Sequence, residues 1–328
     1  MAQVAEPVAA PEQVVPEVGG EPSRGVVGRS PGQLFRRRFR RDKFALAGIV
    51  FIVIILILAL GAPLAAQIAG HEPNQVLLRQ ATDDVGLPVG PSSEFWFGAD
   101  TAGRDLFVRV IYGARTSLTV AFIATGLSVV IGVIMGLMAG FYRGKVDTFV
   151  SRLIDIVLSL PILLLALGLV AACSLSRAGC LGGLIRPGLL LVSYVIALFN
   201  WPYIARIVRG QVLSLREKEF VEAARAQGAG NLRIMFREIL PNVTAPIIVY
   251  TSLIIPNNIL FEAALSFLGA GVPPTTASWG KMLADAQTIF TYAWWMMLFP
   301  GLFLLFTTLA FNLVGDGLRD ALDPKTAR

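Results

Sequence analysis

Six apolar stretches, at about residues 44–69, 116–140, 150–172, 187–205, 243–268 and 294–315, leave this chain few ways to fold. Each has roughly the 20 residues that a helix needs to cross a hydrocarbon core about 30 Å thick. In lipid every backbone N–H and C=O must be satisfied inside the protein, so runs of this kind become helices. The expected fold is an all-α polytopic membrane protein with six transmembrane helices. Composition agrees: 55% of the 328 residues are hydrophobic, 15% are charged and the mean hydropathy is +0.67. That is too apolar for a soluble domain and leaves no room for a large one beside the spans.

Charge sets the expected orientation. Residues 1 to about 33 are rich in Pro, Ala, Val, Glu and Gly, carry Glu6, Glu12, Glu17 and Glu21, and show no apolar period. Arg36, Arg37, Arg38, Arg40, Arg41 and Lys43 follow, so 1–43 reads as a disordered basic tail. A basic segment before an oily one also suits a twin-arginine export signal, but the run after it is longer than a signal core and more spans follow. With this tail in the cytoplasm, 21 of the 28 Lys and Arg fall on the cytoplasmic side and 7 outside. Cytoplasmic loops are enriched in these residues. The expected domains are therefore the tail, a six-span membrane domain over 44–316 and a cytoplasmic C-terminal tail over 317–328. The net charge of +6 is spread along membrane-flanking loops rather than clustered with aromatics on one soluble module, which argues against nucleic acid.

Catalytic chemistry has little material. The chain contains one histidine, His71, and two cysteines. It has no G-x-x-x-x-G-K-[ST], H-E-x-x-H or G-x-S-x-G, so no nucleotide pocket, metal site or hydrolytic centre is expected in it. Any ATP would be bound by another chain. Cys173 and Cys180 fall in the second outer loop, where a short disulfide and a pair of free thiols are both open readings.

One long charged segment interrupts the apolar pattern, Ser214 to Asn242. Ser214 and Glu217 have the spacing of a capping box, which predicts a helix from Leu215 to Gln227. Gly228 suits the left-handed turn after a helix, and Asn231 can cap a second helix that Pro241 stops at about Leu240. Phe220, Ala223, Ala224 and Gln227 share one face of the first helix, with small residues at its centre that let another surface approach closely. From spacing alone this is either an amphipathic loop packed on its own membrane domain or a docking element.

Elsewhere Arg152 and Asp155 have the i, i+3 spacing of an ion pair near a span end, and Pro161 and Pro202 predict kinks. The fifth span is the most polar, with Thr251, Ser252, Asn257, Asn258 and Glu262. Polar groups in a bilayer face a partner or water, so Asn257, Asn258 and Glu262 are candidates for a translocation path. Glu262, roughly 30 Å along the helix from Val243, can alternatively be a hydrogen-bond acceptor for the outer loop that follows it.

Several motifs carry a resemblance. Glu222-Ala223-Ala224, then Gly228, then Leu240-Pro241 is similar to the EAA loop of binding-protein-dependent ABC importer permeases, with Glu238 where that family usually has isoleucine. Gly98, Asp100, Gly103, Arg104 and Asp105 resemble the G-T-D-x-x-G-R-D signature of the dipeptide and oligopeptide subfamily, with Ala99 in place of threonine. Glu262 to Gly269, Ser278-Trp279-Gly280 and Phe311 to Pro324 resemble the same subfamily, in family order. The resemblance covers about Phe35 to Pro324 and implies the C-type subunit of a type I importer. It further implies ATPase coupling through Phe220, Glu222, Ala223, Ala224, Arg225, Gln227, Gly228, Leu240 and Pro241. The implied partners are a homologous second permease in a heterodimer, two ATPases that bind ATP and Mg, an extracytoplasmic binding protein, a peptide substrate and membrane lipid. Nickel chelates and oligosaccharides are the alternative cargoes. A secondary transporter would show inverted repeats with matched broken helices, and an intramembrane enzyme a nucleophile with its base or metal ligands inside the spans. Neither pattern is visible.

Overall fold

The computed structural model describes residues 31–175, 180, 185 and 187–322. Helices follow one another as α1 (Pro31–Phe39), α2 (Lys43–Leu60), α3 (Ala62–Ala69), α4 (Leu78–Ala81), α5 (Leu106–Tyr142), α6 (Gly144–Ser159) and α7 (Ile162–Leu175). Then come α8 (Leu189–Leu215), α9 (Glu219–Ala226), α10 (Asn231–Arg233), a π-turn (Ile234–Ile239), α11 (Leu240–Phe267), α12 (Trp279–Ala286) and α13 (Trp295–Leu322). Among the described residues five helices are long and apolar enough to cross a membrane. The α6–α7 pair, bent by 86°, makes a sixth if it is counted as one broken span.

The apolar runs locate the spans, but their limits move for identifiable reasons. The first run does not form one helix to Ala69. It breaks at Gly61 because Pro63, in the first turn of α3, cannot continue the ladder from α2. The basic tail is not disordered throughout, since Pro31–Phe39 is helical; residues 1–30 lie outside the described part. In the second span Asp105, by accepting the Val108 N–H, starts the helix at Leu106, ten residues before the expected start, and α5 reaches 37 residues. In the third, Leu160 is extended ahead of Pro161, so the expected kink is a complete break. The fourth runs on to Leu215, straight through Pro202. Trp201, Pro202, Ile204 and Ala205 are buried there, so packing supports the helix where one backbone bond is missing.

The most extensive helix packing is between α5 and α8. Gly132, Gly136 and Gly140 recur every four residues on α5. A Cβ on any of them would sit 2.7 Å from, respectively, Ile204 Cβ, Ala205 O or Val212 Cβ. Small residues at this period let two helix backbones close up where lipid supplies no hydrophobic drive. At one end of the bundle Arg216 Nη1 donates to Phe141 O at the close of α5. There too Gly317 of α13 abuts Ala45 at the start of α2. At the other end the Trp279 indole N–H donates to Val110 O at 3.0 Å and that of Trp295 to Ala99 O at 3.1 Å. The first will be called the elbow end and the second the far end.

Candidate functional site

At the elbow end α8 runs through Ser214, so the capping box does not form. Glu217 instead pairs with Arg143 at 2.7 Å and Arg216 at 3.3 Å, and Lys218 precedes α9 without a side-chain cap. A tertiary ion pair has displaced a local hydrogen bond. Burial, then the adjacent Arg143 charge, lowers the Arg216 pKa from its ordinary value, with Glu217 opposing. Glu219 and Glu222 sit at the positive end of α9 and Arg225 at its negative end, both favourable placements. Gly228 has φ +80°, as the turn requires. Its N–H reaches Arg225 O at 2.9 Å and the Ala229 N–H reaches Ala224 O at 3.0 Å, the paired bonds of a Schellman closure.

The second leg departs from expectation. Gly230, not Asn231, precedes α10. Pro241 does not end the helix, because it lies in the first turn of α11, where a missing N–H costs nothing. The π-turn before it pairs the Leu240 N–H with Met235 O, five residues back. Residues 231–267 are therefore one continuous 37-residue rod that includes the fifth span.

Only Val221 of α9 is buried, at 0% exposure, in a cluster with Phe141, Val212, Ile234, Met235 and Ile239. Phe220 is 38% exposed; Glu222, Ala223, Arg225, Gln227 and Gly228 are exposed and Ala224 is half-buried. The Arg225 guanidinium lies 5.8 Å from the Phe141 ring centroid. Leu240 is half-buried and Pro241 exposed. Val221, with half-buried Ala224 beside it, thus fixes a short helix that leaves Phe220, Ala223 and Gln227 of its small-residue face exposed.

The proposed path residues separate. Asn257 is exposed and donates to its own Leu253 O at 2.8 Å. Asn258 and Glu262 are fully buried. Asn258 donates to Thr125 Oγ1 at 2.8 Å and accepts from Asn200 Nδ2, joining α5, α8 and α11. Glu262 accepts from Ser117 Oγ and Ser266 Oγ, each at 2.7 Å. In this single chain Asn258 and Glu262 face helix neighbours. Adjacent helical residues point about 100° apart, so Asn257 faces outward while Asn258 and Glu262, four apart, share the inner face.

At the far end Asp100 accepts the backbone N–H groups of Ala102 and Arg104 at 2.9 Å and the Arg104 Nε at 2.7 Å. Buried Arg109 adds a 3.3 Å ion pair to Asp100 and donates to Pro73 O and Asn74 Oδ1. His71 Nδ1 lies 2.7 Å from Asp105. Ser278 caps α12, and Gly280 packs directly on Ala263. Cys173 and Cys180 are joined as a disulfide with Cα atoms 5.0 Å apart. Asp155 pairs across to Arg206 at 3.0 Å rather than with Arg152. Among the described residues no cluster of three His, Cys, Asp or Glu could hold a metal. Sequence reasoning missed the Arg109 anchor, which no local motif announces. It also missed the α5 seam, although three glycines at intervals of four were there to be read.

Known proteins supply the remaining observation. The family described as binding-protein-dependent transport system inner membrane component matches residues 128–328, and the N-terminal TM domain of oligopeptide transport permease C matches 30–82. The dipeptide transport system permease protein DppC of Alkalihalophilus pseudofirmus is 42% identical over 296 residues, covering 90% of each chain. The oligopeptide transport system permease protein OppC of Escherichia coli is 40% identical over 300 residues, covering 92% of this chain and 93% of its own. An inward-facing structure of the MetNI methionine ABC transporter aligns with a TM-score of 0.55 at 19% identity, over 66% of this chain and 97% of that one, a likeness of fold. The chain belongs to the family of binding-protein-dependent transport system inner membrane components, among the permease C proteins.

Proposed function

We propose that this chain is one of two related permease subunits in an ATP-driven peptide importer, and that α9 is where an ATPase subunit docks. The observation that carries this reading is the elbow: an exposed small-residue helix pegged by Val221 and continuous, through the π-turn, with a membrane-spanning rod. Peptide cargo follows from the dipeptide and oligopeptide permeases that the chain resembles. The excess of Lys and Arg supports placing the elbow and both termini in the cytoplasm, where ATP is. ATP and Mg belong to two partner ATPases, and an extracytoplasmic binding protein delivers peptide at the far end. Closure of the ATPase pair pulls α9; the rod and α8 convert that pull into alternate opening of a path shared with the second permease. Asn257, exposed on the fifth span, is available to such a path.

Two substitutions test the docking in the assembled importer, by peptide uptake into proteoliposomes. Gly228→Pro cannot adopt φ +80° and loses the bond to Arg225 O. Uptake should fall about tenfold or more, since ~1.4 kcal/mol of lost coupling is already tenfold. Glu222→Arg disturbs α9 itself by only about 0.3–1 kcal/mol at an exposed helix start. A comparable fall there, with normal membrane insertion, isolates docking. Full uptake by either assembly at normal expression overturns the role of α9.

A further inference from the structure

The helix that precedes the first span has a basic face that the docking reading leaves unassigned. On α1 and the turn after it, Gln33, Arg36, Arg37, Arg40 and Arg41 line one shallow cleft. Their spacing of i, i+3, i+4, i+7 and i+8 is one face of a helix. Phe35 and Phe39 stack on each other with centroids 5.8 Å apart, and Phe39 lies beside Gly317 of α13, so the apolar side is tied to the bundle. Among the described residues no ion pair includes Arg36, Arg37, Arg40 or Arg41. The nearest carboxylate in sequence, Asp42, is committed to the Phe44 and Ala45 N–H groups that start α2.

We propose that this basic face binds anionic phospholipid headgroups of the leaflet at the elbow end. Three residues separate α1 from α2, a reach of at most ~11 Å. The four guanidiniums are therefore held at headgroup depth, while the first span carries the helix into the bilayer. Guanidinium groups pair with phosphate oxygens in a bidentate fork, and basic residues at this depth attract anionic lipid with an energy that salt screens. The inference depends on α2 crossing the bilayer and not on the transport reading.

The full-length chain in nanodiscs of phosphatidylcholine, with and without phosphatidylglycerol, tests it. Amide hydrogen exchange over 31–41 should slow when phosphatidylglycerol is present, and the slowing should vanish at high salt. Native mass spectrometry should show bound phosphatidylglycerol in preference to phosphatidylcholine. Each Arg→Gln change should cut that preference up to about fivefold, and the combined R36Q/R37Q/R40Q/R41Q variant should abolish it. The corresponding four-lysine variant, which preserves the charge that governs insertion, should retain most of it. The proposal fails if phosphatidylglycerol changes nothing in the unaltered chain, or if the four-glutamine variant keeps the full preference. It fails equally if phosphatidylglycerol slows exchange only in a variant with Glu6, Glu12, Glu17 and Glu21 changed to Gln and not in the unaltered chain, which would mean that the acidic tail competes for the face.

Discussion

Glu262 is a carboxylate at 0% exposure whose oxygens accept from Ser117 on α5 and from Ser266 one turn along α11. The pattern resembles a pin between helices more than a contact with cargo. Glu262→Ala removes the acceptor from two buried hydroxyls, each worth about 1–3 kcal/mol when left unsatisfied, although Ser266 can turn to its own backbone. We expect a loss of roughly 2–4 kcal/mol, read as a melting temperature several degrees lower for the detergent-solubilised chain, and a smaller loss for Glu262→Gln, which keeps one acceptor. Normal melting of Glu262→Ala, with altered peptide preference, would return the residue to the path. Legibility at this scale depended on how local the physics is. Gly228 could be read because a left-handed turn depends on one residue's own backbone. Ser214 and Glu217 misled because Arg143, 74 positions away from Glu217, competes for the same carboxylate.

For whole elements, the apolar runs gave the centres of the spans but not their ends, which are set by caps and by packing. Asp105 extends α5 at one end, and the α5–α8 seam carries α8 past its apolar run at the other. The seam offers a test in which one substitution changes sign with position. Gly→Ala in a helix interior normally stabilises by up to about 1 kcal/mol. At Gly126, where no atom lies within 4 Å of an added Cβ, Ala should be neutral or stabilising. At Gly136 the same Cβ meets Ala205 O at 2.7 Å and Val208 Cβ at 2.8 Å, so α5 and α8 must separate. Gly136→Ala should then cost about 1–3 kcal/mol. Thermal stability of the two purified variants checks this, and equal melting would mean that the seam yields without penalty.

Across the whole molecule, the elbow can drive the bundle only if it turns with the spans. The sequence suggested an elbow that Pro241 separates from the fifth span; the structure joins them, because one extra residue in the 234–239 turn makes room for the proline. That residue is not visible in composition or periodicity, since a π-turn differs from an α-turn by a single insertion. It is nonetheless testable. Deleting Phe236, 48% exposed, should return the rod to α-helical register. It would rotate α9 and α10 by about 100° about the α11 axis and draw them in by about 1.5 Å. Because Val221 and Ile234 would then be carried off their shared cluster, α9 should no longer present the same face in the same place. In the assembled importer proposed above we expect unchanged insertion, at least tenfold less peptide uptake, and ATP hydrolysis that no longer responds to loaded binding protein. Phe236→Ala, which removes the ring but keeps the register, should transport near the normal rate and so separates rotation from loss of a side chain. If the deletion transports normally, the rod does not transmit the elbow's motion, and coupling must run through α8 alone.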